Sequence, residues 1–442
     1  MQAPVVLTSL TTALATIALA TTAAAGQVWV VDGSAAPGFD FLDIQPAVDV
    51  AAPGDVVLIR GGDYATFAID GKGLSVLADA DQVVHVDGTW RVANLPAGQL
   101  VVLRGLQTGT PGTQGLSASS CEGSLWIEDC TLTASDGPLT GVLPLHHGIR
   151  LDRCKEVVIA RCEASGGNGK NLGSFGYPFG GGSGVDSFAT NVAVVDSVLT
   201  GGHGASSPLG ESWDGAIGGH GLRMSATHAL VAGVETHGGY GGWADVDYDT
   251  LFGTKNCGYG GNGGSGIYVE SYNPEFTATY SSVLTVRDQV STPGGGGGAW
   301  CAPAGSPGQP ITLTPQKPHS VTELAGDART FFVNSPVRGG TDARLNFAGA
   351  PGDLVLAVAS GGATWLDLGG QPAPLVLADV PIVLGPWQLD GSGTTIQAVP
   401  VPTQAIGFGG ATLPMQAVVL EAASGALTLA SPSALTVLEQ GL

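Results

Sequence analysis

The chain has 442 residues, enough for two domains or for one elongated repeat domain with an appendage. With 12% charged residues, 43% hydrophobic residues and 71 Gly, it is too apolar for a solvated coil and too rich in turns for a helical protein, which leaves many short strands. Against 37 acidic residues there are only 16 basic ones, and the formal charge of −21 excludes nucleic acid, disfavours anionic membranes and repels acidic polysaccharides unless local Arg residues or bridging cations intervene.

Val5 to Ala25 is a run of Val, Leu, Ala and Thr that closes on Thr22-Ala23-Ala24-Ala25-Gly26, ahead of the first charged side chain, Asp32. This predicts a signal peptide over residues 1–25 and an exported protein, secreted or at the cell surface, with no membrane insertion after cleavage. No Lys or Arg stands near Met1, so an uncleaved anchor is the alternative. Six Cys without a CxxC, in an exported chain, favour disulfides over metal or redox chemistry.

Residues 41–79 place an amphipathic segment with Ile44, Val48 and Ala51 before Pro53-Gly54-Asp55, a buried strand and Gly61-Gly62-Asp63-Tyr64. Further along, HGIRLDRCKEVVIARCEASGG from His147 and HGLRMSATHALVAGVETHGG from His220 match closely, and related units start at Gly115, Gly184 and Gly266. Each unit runs from Gly through a period-two strand, a turn and a second alternating strand to a Gly-rich exit. Such short strands bury their apolar face only by stacking, which predicts a solenoid with insertions emerging on one side. On these residues the chain resembles the secreted right-handed parallel β-helix proteins of the pectate-lyase-like superfamily over about residues 28 to 290. The resemblance implies an all-β fold in which a short N-terminal helix caps the open end of the core over residues 26–290.

From Ser291 to Pro310 the pattern breaks into five consecutive Gly, 294 to 298, and four Pro, which predicts a Gly/Pro-rich linker over 291–319. Strands separated by Gly and Pro turns then predict a C-terminal β-sandwich-like domain over 320–442, which resembles a module found on secreted bacterial proteins.

Aligning the units by their opening Gly sets Ser117, Arg150, Asp186, Arg223 and Tyr268 in one column and Ser119, Asp152, Phe188, Ser225 and Glu270 in the next. Coils about 4.8 Å apart make Arg150, Asp186 and Arg223 an alternating charge ladder. The insertions 166–184, 201–221 and 238–266 are expected to wall this sheet into a groove with Tyr177, Glu211, Trp213, Asp214 and Trp243, aromatic faces beside carboxylates that suit sugar rings. Binding of a polysaccharide or cell-surface glycan is the leading expectation. Cleavage or modification would rest on Arg150, Asp186, Arg223 and Glu270, and a lyase or epimerase fits better than a hydrolase because no Asp-Asp pair is present. The rival is a noncatalytic adhesive or structural protein with the solenoid as spacer. His147 and His220 read as turn residues bonding neighbouring backbone. Asp245, Asp247 and Asp249 stand at alternate positions that admit Ca²⁺, with a solvated acidic loop as the alternative; no other cofactor is implied.

Register also speaks to the cysteines. Cys121 and Cys154 lie six residues after their opening Gly, and Cys130 and Cys162 each close the following strand. Two stacked disulfides, Cys121–Cys154 and Cys130–Cys162, are expected, with Cys257–Cys301 as the remaining pair and a ladder of reduced, buried Cys as the alternative.

Overall fold

The structure is a computed structural model that describes residues 25–137, 146–171, 178–208, 213–249, 254–270, 281–314, 319–361, 364–367, 372–375, 382–403, 407 and 409–442; for 246–249, 254–256, 364–367 and 372–375 it describes the backbone alone. The expected signal peptide, apart from Ala25, lies outside these residues.

Parallel strands stack into a β-helix with three faces. One sheet runs from Val28–Val31 through Val56–Ile59, Ser75–Ala78 and Leu100–Arg104 to Asn191–Val195, His228–Ala232, Ser282–Arg287 and His319–Leu324. A second, the ladder sheet, stacks residues 116–119 and 149–152 with Val185–Phe188, Leu222–Ser225, Ile267–Glu270 and Ile311–Leu313. A short third sheet joins Thr131–Thr133, Glu163–Ser165, Val198–Thr200, Glu235–His237 and Val290–Thr292. Period-two alternation turns Leu116, Ile149, Val185, Leu222 and Ile267 inward, one above another, and all are buried. At the open end the helix Ile44–Val50 buries Ile44, Ala47 and Val48, and the Asp43 carboxylate caps it by accepting from Ile44 N at 2.8 Å.

Each coil turns at single residues in the left-handed region. Ser120, Arg153, Ala189 and Ala226 form one stacked corner, and Asp129, Arg161, Asp196, Gly233 and Asp288 another. After the corner residue comes Cys121, Cys154, Thr190 or Thr227 in the first stack, and Cys130, Cys162 or Ser197 in the second. Each side chain donates back to the carbonyl two residues earlier, as in Cys121 to Ser119 O, Thr190 to Phe188 O and Ser197 to Val195 O. The cysteines do the work of Ser and Thr. The register expected for them is present, with Cys154 opposite Cys121. The two disulfides expected there are not: Cys121, Cys130, Cys154 and Cys162 are buried free thiols, and the bond is Cys257–Cys301.

The insertions border the ladder sheet on one side without enclosing it as a walled groove. They extend the coils sideways into a two-layer slab of segments in neither helix nor strand: an exit layer (166–171, 201–208, 238–245, 293–299) and a return layer (178–184, 213–221, 258–266, 303–309). Backbone donors recur every third residue. In the exit layer Gly201, Gly204 and Ser207 donate to His237, Tyr240 and Trp243; in the return layer Gly215, Gly218 and Gly221 donate to Tyr259, Asn262 and Ser265. Between layers, bonds run from Gly308 to Gly294, Gly264, Gly239, Gly219, Gly202, Gly182 and Gly167 in turn. A period of three is that of the polyproline II helix. Space demands the glycines: a Cβ on Gly219 would overlap Gly182 O, and one on Gly239 would overlap Gly202 O. None of these slab glycines takes a positive φ, so the missing side chain matters rather than backbone freedom.

The expected linker is part of this architecture. Residues 294–308 extend both slab layers and Ile311–Leu313 and His319–Leu324 add strands to two sheets, so the described residues of 291–324 form a further coil. The C-terminal domain therefore begins near residue 325. Its five-stranded sheet (Val337–Arg338, Leu427–Leu438, Gly410–Leu420, Leu354–Ala359, Ile382–Gln388) and three-stranded sheet (Thr330–Val333, Asp342–Ala348, Thr394–Pro400) enclose Phe331, Leu345, Phe347, Val355 and Met415. It docks on the outer face of the first solenoid sheet, where Leu58, Leu77, Val102, Trp126 and Val158 form one cluster with Ala434 and Leu438.

Two outcomes follow. Gly219→Ala, which sets a methyl against backbone, should destabilise by on the order of 1–3 kcal/mol in thermal denaturation, whereas Ile217→Ala, at an exposed slab position, should change little. Nonreducing peptide mapping should find Cys257–Cys301 as the bridge. The other four thiols should react with a thiol reagent only on unfolding, because all four are buried.

Candidate functional site

The ladder sheet carries the expected columns in the expected register: Arg150 opposite Asp186, Asp186 opposite Arg223, Arg223 opposite Tyr268, and Ser225 opposite Glu270. Arg223 lies between two carboxylates. Its Nη1 is 3.7 Å from Asp186 Oδ1, and its Nε and Nη2 reach Glu270 Oε2 at 3.1 and 2.6 Å. Burial lowers its pKa, but the negative charges of Asp186 and Glu270 outweigh that and hold it above the usual Arg value.

The return layer ends where the ladder sheet begins, and its exposed third positions continue the same face. Together they form a cleft of about 460 Å³ lined by Ile217, His220, Arg223, Asn262, Tyr268 and Glu270, with Ser306 and Thr312 at the next coil. The Tyr268 ring stacks on the His220 imidazole, centroids 4.4 Å apart and planes within 7°. His220 Nδ1 accepts from Ser265 N at 2.9 Å, and one coil earlier His147 Nδ1 accepts from Ser183 N at 3.0 Å while its Nε2 stands 3.4 Å from Asp186 Oδ2. Both imidazoles therefore bond neighbouring backbone, as their turn positions suggest. Burial and then the Arg223 charge push His220 down to about 4, and burial pushes His147 down as well.

The same backbone-accepting role recurs along the slab. Asn168 Oδ1 accepts from His203 N, Asn262 Oδ1 from Ser306 N, and Asp214 Oδ1 from Tyr259 N at 2.7 Å. Asp214, expected to meet substrate, thus satisfies the one slab N–H per turn that has no carbonyl partner. Trp213 is half-buried beside it, at the far end of the return layer. Trp243 lies on the outer face of the exit layer, away from Tyr268. Tyr177 and Glu211 fall outside the described residues, as do the side chains of Asp247 and Asp249. Asp245 is half-buried at the start of the hairpin Val246–Asp249 and Thr254–Cys257. Among the described residues no group of three His, Cys, Asp or Glu is placed to hold a metal ion. Sequence reading passed over Ser265 and Ser183, whose signal is the repeat of His-Gly in one unit against Ser-Gly in the next.

No protein-family profile matches the chain, and no curated protein matches it. Among solved structures, the crystal structure of Escherichia coli YbhC is similar at 12% identity with a TM-score of 0.28, over 61% of this chain and 73% of that one, a likeness too low to carry an argument. The class of the protein rests on its own strands, which make it a parallel β-helix with a docked, mainly antiparallel C-terminal β-domain.

A His with a depressed folded pKa binds fewer protons than the unfolded chain between the two values. Stability supplied by His220 is then complete above pH 6.5 and is lost as pH falls toward 4, by about 2–3 kcal/mol. His220→Asn keeps an acceptor for Ser265 N, as Asn168 and Asn262 do for their neighbours, and should flatten that part of the pH dependence in denaturant melts.

Proposed function

We propose that this protein is an exported member of the pectate-lyase-like β-helices that binds a neutral polysaccharide in the cleft between ladder sheet and return layer, without cleaving it. The observation that carries the reading is the Tyr268 ring, fixed flat on His220 beside the Arg223–Glu270 pair: an apolar face for the CH side of a sugar ring next to charged groups for its hydroxyls. Export rests on the leader-like residues that close on Thr22-Ala23-Ala24-Ala25-Gly26. Neutral sugars are favoured because Arg223 is already matched by Asp186 and Glu270, and the chain as a whole carries −21. Binding is favoured over hydrolysis because Asp186 and Glu270 both pair with the one Arg223 guanidinium.

The test is titration of the full chain with soluble oligosaccharides of neutral and uronic type. Tyr268→Ala should weaken binding of a neutral oligosaccharide by at least about tenfold, or about 1.4 kcal/mol, and Tyr268→Phe should retain most of it. Product analysis should detect no new reducing or unsaturated ends. Cleavage that disappears in Asp186→Asn would replace this reading with a catalytic one.

A further inference from the structure

The outer face of the exit layer carries side chains that the cleft does not use. Its third positions are Asn168 and Asn171, then His203 and Ser206, then Tyr240 and Trp243, then Gly295 and Gly298 in successive segments. Tyr240 and Trp243 are 61% and 63% exposed, a large apolar area to leave in water without a ligand. Their backbones are pinned: Tyr240 N donates to His203 Nδ1 and Trp243 N to Ser206 Oγ, both at 3.0 Å, and the His203 ring packs 5.2 Å from that of Tyr240.

Gly295 and Gly298 explain how the rings lie. At other slab glycines an added Cβ meets backbone of a neighbouring segment. At these two the nearest atoms belong to the rings alone, 3.1 Å away for Tyr240 over Gly295 and 2.5 Å for Trp243 over Gly298. Neither glycine takes a positive φ. Backbone packing would accept a side chain at both places, and glycine instead leaves room for the two rings to lie down on the segment. The six-membered ring of Trp243 covers Gly298, while Tyr240 brings its Cδ1–Cε1 edge against Gly295. Three residues apart on a three-residue turn, they are spaced by about 9 Å, of the order of a disaccharide's length. The third positions of these four segments hold no Asp, Glu, Lys or Arg, and the nearest charges are the paired Asp136 and Lys170 beside Asn168.

We propose that this face is a second glycan-binding site, on the side of the slab opposite the cleft, which takes the flat face of an extended, neutral, β-linked hexopyranose chain across Tyr240 and Trp243. The inference shares its ligand class with the proposed function but none of the cleft's residues. A planar platform of this kind suits a chain held flat in a solid particle, where a cleft cannot reach.

Adsorption isotherms of the full chain on microcrystalline cellulose and on chitin particles test it, the two solids separating a plain from an acetamido-bearing chain of the same shape. Adsorption to at least one solid is expected, and the double variant Tyr240→Ala, Trp243→Ala should lower it at least tenfold. Gly298→Ala keeps both rings but lifts that of Trp243 and should lower it several-fold. Tyr240→Phe should stay near the wild type, and Tyr268→Ala within twofold. Wild-type adsorption to neither solid, or full adsorption by the double variant, overturns the platform. Soluble oligosaccharide binding, measured separately and sensitive to Tyr268→Ala, reports on the cleft, so either site can fail alone.

Discussion

The slab depends on one constraint, the approach of backbone to backbone that only glycine permits. Gly167, Gly182, Gly202, Gly219, Gly239, Gly264, Gly294 and Gly308 form an unbroken line of hydrogen bonds between the two layers, and a methyl group on any one of them after the first collides with the main chain of another segment. With two of every three positions closed in this way, side chains leave the slab only at the third. Those on the exit layer and on the return layer point to opposite sides. The two faces are therefore chemically independent, one continuous with the ladder sheet and the other carrying the aromatic pair. Some of these side chains also complete the backbone's own bonding, as His220, Asp214 and Asn262 do, so the slab leaves few main-chain donors unsatisfied.

Docking of the C-terminal domain follows a different logic. The strands Val56–Ile59 and Ser75–Ala78 are buried at every residue, because their outward side chains meet the second domain while their inward ones fill the solenoid. Polar anchors fix this apolar contact. Arg104 donates to Ala434 O and Val333 O at 2.7 and 2.6 Å, Ser433 Oγ donates to Glu128 Oε2 at 3.0 Å, and Arg338 holds Asp79 at 3.0 Å. Glu128 has no exposed surface, and burial pushes its carboxyl up against the pull of Arg104 and Arg161. Taking away either Arg would leave a buried charge short of a partner, which makes the contact specific.

Period-two alternation made the solenoid legible: Ile149, Leu151, Val157 and Ile159 point inward as read, and the opening Gly of each unit placed Arg150, Asp186, Arg223 and Tyr268 in their true column. The capping helix was equally plain, from Ile44 and Val48. Glycine-rich stretches misled because a run such as Gly294 to Gly298 looks the same whether it is solvated linker or close-packed segment. The distinguishing sign was there, in the spacing of His203 and Ser206 or of Tyr240 and Trp243 by three residues between glycine pairs. Of the pairs expected, Cys257–Cys301 is the one found, and the two read from register failed for a related reason. Cys121 and Cys154 share a stack with Thr190 and Thr227, and a residue type that alternates with Thr along one column is serving as a small donor.

A body held together by main-chain hydrogen bonds has an unusual thermal character. Unfolding the solenoid and the C-terminal domain exposes Leu, Val, Ile and Phe, which raises the heat capacity. Unfolding the slab exposes mostly peptide groups, whose hydration lowers it. The glycine segments thus add ordered mass while contributing little or negative heat capacity, and so flatten the stability curve of the whole chain. A flatter curve loses less on cooling, since the part of the molecule that presents both proposed binding faces relies little on a hydrophobic driving force that weakens in the cold.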